Sequence, residues 1–202
     1  MTRLPAAIFA GAIYAMAAPA HANFFKNGTG LASPGQTVDF ESVVLATNQV
    51  VTTEFQSFGV TFTGAFANPD PLVPYPNVSG NRISNFQSNI GHSPVFLADF
   101  GSTLSEVAFS FVSSPGTATF EALLNGVLVE SGVGVTSAVD SNNFFGFTGI
   151  TFNQIRLSVN SFDSAFVIDN LQTVNSVPEP ESWALLLMGM GLVGVASRRD
   201  KR

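Results

Sequence analysis

Apolar and polar positions alternate with a period of two along most of the chain from Thr37 onward, the pattern of strands that bury one face. In Gly59-Val60-Thr61-Phe62-Thr63-Gly64-Ala65-Phe66, the residues Val60, Phe62 and Phe66 fall on one face and the threonines on the other. Glu106-Val107-Ala108-Phe109-Ser110-Phe111 repeats the scheme, and so do Ile155, Leu157 and Val159 around Arg156 and Ser158. The same reasoning predicts strands at Val38 to Leu45, Val95 to Phe100, Phe144 to Phe152 and Ala165 to Val174. Asn125-Gly126 separates two apolar runs, Phe120 to Leu124 and Val127 to Val129, and both residues suit the positive φ angles of a type I′ hairpin turn. Pro69, Pro71, Pro74 and Pro76 make the stretch from Asn68 to Asn81 a loop, because proline cannot donate to a strand ladder. No convincing helical period interrupts this region. The pattern therefore predicts an all-β domain over residues 37–176, an antiparallel β-sandwich of eight to ten short strands and of jelly-roll type.

The alternation fails at both ends. Residues 1–22 combine Arg3, an Ala-rich apolar run from Ala6 to Ala18, and Ala20-His21-Ala22, which together form a secretory signal peptide, read as a helix, with cleavage after Ala22. Residues 23–36, rich in Asn, Gly, Ser and Thr, are expected to be a flexible arm behind the new terminus. At the other end, residues 177–202 open with Val177-Pro178-Glu179-Pro180, continue as a short transmembrane helix over 183–197, and close with Arg198, Arg199, Lys201 and Arg202. A basic cluster directly after an apolar segment belongs on the cytoplasmic side of a membrane. The charge-free run from Trp183 to Ala196 reaches only ~21 Å against a hydrocarbon core of roughly 30 Å, so the segment is expected to engage the inner membrane transiently.

The order Pro178-Glu179-Pro180, then an apolar helix carrying Gly189, Gly191 and Gly194, then Arg198-Arg199 resembles the PEP-CTERM sorting signal of exported Gram-negative bacterial proteins. The resemblance covers the tail alone. It implies that an exosortase-type membrane enzyme recognises Pro178, Glu179 and Pro180, cuts nearby, and passes the protein to the cell surface or the extracellular matrix.

Charge and composition narrow the role of the domain between the two signals. Residues 23–176 hold eleven carboxylates against Lys26, Arg82 and Arg156, a net charge of −8. Nothing in that balance neutralises phosphates, so nucleic acid is excluded as a partner, whereas a cation or a neutral polymer fits. The chain has no cysteine, so the exported domain is held by packing, with metal as a further option. Nineteen of the 20 phenylalanines lie beyond the signal peptide and read as core filling; Tyr75 is the candidate for stacking on a sugar.

Candidate chemistry is sparse. His92 lies in a turn-like stretch with no nucleophile elbow beside it and reads as an exposed loop histidine, and a single histidine beyond the signal peptide, without cysteine, excludes a zinc site. Paired carboxylates leave open a second reading, a secreted glycan hydrolase or lyase, but no spacing singles out a pair and the domain is expected not to be an enzyme. Asp140-Ser141-Asn142-Asn143 starts like a calcium loop but lacks its Gly and Glu. Glu41, in the predicted first strand, and Asp169, in the last, are better placed to share a Ca2+ ion, because such strands often run side by side in a sandwich. The ordinary alternative is an Asx turn at Asp169 and a solvent-facing Glu41.

A second resemblance joins these features. Asp39-Phe40-Glu41, Gly59-Val60-Thr61-Phe62, Leu104 to Phe111, Asn125-Gly126, Phe147 to Phe152 and Ile168-Asp169-Asn170-Leu171, in that order, look like the β-sandwich domain common in PEP-CTERM proteins. That domain is similar to carbohydrate-binding jelly rolls in which calcium joins the first and last strands, and it implies Glu41 and Asp169 as the metal ligands. The reading is of an exported structural, adhesive or glycan-binding module, partnered with extracellular polysaccharide as in a biofilm.

Overall fold

The computed structural model describes residues 23–68, 74–161 and 164–176. The expected signal-peptide helix over 1–22 and the apolar helix over 183–197 lie outside the described residues. Among those described there are thirteen strands and a single 3-10 turn, Gln56–Phe58, and no helix is long and apolar enough to cross a membrane. The strands are β1 (Asn23–Asn27), β2 (Gln36–Val38), β3 (Val50–Val51), β4 (Val60–Thr63), β5 (Ala65–Ala67), β6 (Ile83–Ser84), β7 (Phe86–Gln87), β8 (Gly91–His92), β9 (Phe96–Ser113), β10 (Gly116–Leu124), β11 (Val127–Thr136), β12 (Phe144–Ser161) and β13 (Phe166–Asn175).

The 18-residue strands β9 and β12 set the architecture. They pair antiparallel, Phe144 opposite Ser110 at one end and Leu157 opposite Phe96 at the other, and their register shifts twice between Thr148 and Gln154. Extra residues in a ladder bend it. Gly149, at φ 72°, supplies a left-handed conformation at this corner. On one side of it the strands run β1–β12–β9–β13, with β6, β5 and β3 continuing outward; on the other they run β11–β10–β12–β9–β4. One folded sheet of eleven strands thus closes on itself as a sandwich, and β7 with β8 forms a separate ribbon.

Phenylalanine fills the space between the layers. Phe120 of β10 stacks on Phe145 of β12 at 4.5 Å between centroids, and Phe111 of β9 meets Phe120 edge-on at 5.2 Å. Burying one such ring is worth about 1.5–3 kcal/mol. The layers approach closely where β11 has no side chain: a Cβ on Gly132 would lie 2.1 Å from the Phe24 ring, and one on Gly134 2.4 Å from Phe145.

Several expectations change here. Residues 23–27 are not the start of a flexible arm but a strand, β1, paired with residues 144–148 of β12, because Phe24 is seated against Phe120, Phe145 and Phe147. Leu31 is buried as well. The predicted strand from Val38 to Leu45 stops at Val38. Phe40 turns left-handed at φ 60° to bury its ring against Phe55 and Phe62, so Glu41 lies in a turn and not in a strand. The stretch from Val60 to Phe66 divides at Gly64, where a Cβ would lie 1.7 Å from the Val95 carbonyl oxygen. Asn125 and Gly126 do form the β10–β11 turn, at φ 52° and 82°.

Candidate functional site

The outer edge of β13 is divided between two short partners. Val167 and Ile168 pair with β6, whereas Leu171, Gln172 and Thr173 pair with β2. Between them the ladder to β9 slips by one residue after Asp169, and Asn170 takes φ 50°. The bulge opens a gap in the edge, and Asp169 sits in it, 1% exposed. A loop from Asn77 to Asn81 covers the gap.

Both carboxylates singled out in the sequence engage this loop. Asp169 accepts hydrogen bonds from the Ser79 amide at 2.9 Å and the Asn170 amide at 2.6 Å. Glu41 accepts from the Asn81 amide at 2.6 Å and from the Asn81 carboxamide at 3.0 Å. Gly80 lies between them at φ 64°, and a Cβ there would come within 1.9 Å of Glu41 Oε1, so a side chain would be strained and would displace the carboxylate. Asp39, not singled out before, closes an Asx turn by accepting from the Glu41 amide at 3.1 Å. The loop is pinned from its other end by Asn77, which takes φ 56° and donates to Asn143 Oδ1 at 2.7 Å and to the Ser141 carbonyl at 3.0 Å.

Burial pushes the Asp169 carboxyl up to about 6, and the charges of Glu41 and Asp39 push the same way against the two amide hydrogen bonds. A hard cation relieves that conflict, since it takes oxygen donors and neutralises the crowded charge. The donor set fits calcium in kind. In number it does not suffice alone: among the described residues no group of three or more His, Cys, Asp or Glu side chains could hold a metal ion. Glu41 and Asp169 would therefore need backbone carbonyls and water to complete a coordination shell.

The remaining residues of interest are separate from this junction. His92 is exposed in β8 and its ring lies 5.0 Å from that of Phe86. Asp140 is held below the usual carboxylate range by the hydrogen bond from Lys26, 2.7 Å away, and turns its other oxygen to the Asn142 amide. Tyr75, half-buried, stands 5.2 Å from the Arg82 guanidinium carbon. Ala20, Ala22, Pro178, Glu179, Pro180, Arg198, Arg199, Lys201 and Arg202 lie outside the described residues. Sequence reading missed Asp39 and the Ser79-Gly80-Asn81 turn, although Ser-Gly-Asn is itself a turn signal.

No curated protein matches the chain. Among solved structures, the Podospora anserina GH26-CBM35 β-(1,4)-mannanase is similar at 13% identity with a TM-score of 0.30, over 80% of this chain and 29% of that one. The chain thus spans under a third of that protein's length. Residues 176–202 match the PEP-CTERM protein-sorting motif. The chain accordingly carries a sorting signal that implies processing by an exosortase, a membrane enzyme, and export to the bacterial cell surface or beyond it.

Proposed function

We propose that this chain is a non-catalytic surface or matrix module of a Gram-negative bacterium, delivered by exosortase sorting, with a jelly-roll-like sandwich that adheres to extracellular polysaccharide. The observation that carries the reading is the sorting motif at residues 176–202. A secretory signal at residues 1–22 and a β-sandwich between the two signals agree with it. In this reading the signal is cut after Ala22, and the apolar segment holds the chain at the inner membrane only until processing near Pro178-Glu179-Pro180.

Calcium belongs to the same proposal. Bound by Glu41 and Asp169, it would clamp the turn after β2 to the bulge in β13 and so fix the loop from Ser79 to Asn81. Its contribution is structural; no step of a reaction is assigned to it.

Replacing Pro178, Glu179 and Pro180 together by alanine tests the sorting half. Surface and released protein should fall while membrane-retained protein accumulates. Unchanged delivery would overturn the reading.

A further inference from the structure

A cavity of about 180 Å3 opens at the end of the sandwich away from the corner. We propose that it is the saccharide subsite of the domain, taking one neutral sugar ring stacked on Tyr75 and Phe86; the inference rests on reading the domain as glycan-binding. Val112 and Val167 are apolar members of its lining, whereas Asn68, Ser84 and Ser114 are polar ones. An apolar pocket with a few polar groups is the usual form of a small-molecule site. A sugar ring matches it, because one face of a pyranose presents C–H groups and its rim presents hydroxyls.

Three features of the lining narrow the ligand. None of the described lining side chains is charged, and residues 23–176 carry a net −8, so a neutral sugar avoids the repulsion that the domain as a whole offers a uronic acid. Tyr75 is fixed in place by the tight turn from Tyr75 to Val78 and by Arg82 beside its ring, which limits the ordering cost of binding. Its phenol hydroxyl has no hydrogen-bond partner among the described residues. The Ser84 hydroxyl, 1% exposed, accepts from the Phe86 amide at 2.9 Å but donates to no acceptor among the described residues. Both residues line the cavity.

Affinity electrophoresis of the purified exported protein through gels containing galactomannan, dextran or alginate tests the assignment. Retardation is expected in a neutral gel. It should weaken by about tenfold in Tyr75→Ala, as for loss of one ring contact, and in the filling variant Ala138→Trp, but by far less in Tyr75→Phe. The Ala138→Trp variant alters neither Tyr75 nor Arg82, so, with its fold checked by circular dichroism, it decides the matter even if Tyr75→Ala fails to fold. Undiminished retardation of Ala138→Trp would overturn the subsite and leave the glycan-binding reading standing. Free migration of the unaltered protein in all three gels would overturn both. Retardation by alginate alone would overturn the neutral-sugar assignment.

Discussion

Asp169 is a carboxylate buried where its charge is opposed. Its folded-state pKa of about 6 lies above that of an unfolded aspartate, so the folded, calcium-free protein binds a proton more readily than the unfolded chain does. Stability from this group is then greatest below the unfolded value and is lost as pH rises through about 6, by up to ~3 kcal/mol. In EDTA, the urea midpoint of the unaltered protein should rise on acidification from pH 7 to 5 relative to that of Asp169→Asn. Millimolar calcium should raise the melting temperature at pH 7 and remove this difference, because a ligand bound only to the folded state stabilises it. No calcium shift, or an equal one in Asp169→Asn, would refute the assignment. Glu41 and Asp169 were singled out from their expected places in the first and last strands. That both bond to the loop from Ser79 to Asn81 was not legible. A phenylalanine at positive φ is uncommon, so nothing in Asp39-Phe40-Glu41 announced that Phe40 would turn inward and carry Glu41 to the loop.

At the level of elements, the alternation revealed nearly every long strand but cut the two longest in half. Gly101-Ser102-Thr103 and Asn153-Gln154 fell between predicted strands, and in one dimension a bent strand looks like two strands with a turn. The strand β1 escaped for another reason: its pattern is too short to show a period, and only the contact of Phe24 with the core reveals it. β1 also guards an edge. The outer strand β11 leaves Val133 66% and Val135 68% exposed, a surface inviting another strand to pair. Lys26 of β1 donates to the Val135 carbonyl at 2.8 Å and to Asp140, which places a charge on that edge. Lys26→Ala should therefore show concentration-dependent light scattering that the unaltered protein lacks, with little change in far-UV circular dichroism. Equal scattering by the two would assign the protection of β11 elsewhere.

For the whole molecule, the sorting motif and the proposed leader over residues 1–22 predict the boundaries of the exported form. Intact mass of protein recovered from the medium should correspond to a chain starting at Asn23 and ending near Pro180, and a mass that includes Arg202 would rule out processing of the tail. Asn23 opposes Thr148, and the Ser176 amide donates to the Thr103 carbonyl at 2.9 Å. Both positions adjoin the corner of the sandwich. The cavity lined by Tyr75 lies beyond Ser113, nine residues up β9 from Leu104, or about 30 Å along the strand.

That separation has a mechanical meaning. With the proposed subsite loaded by a polymer and the chain held beyond Ser176, tension would run lengthwise along β13, parallel to its ladders with β9 and β2. Pulled in this direction, the hydrogen bonds resist in shear and must yield together, whereas the same bonds pulled from the side would break in succession, like a zip.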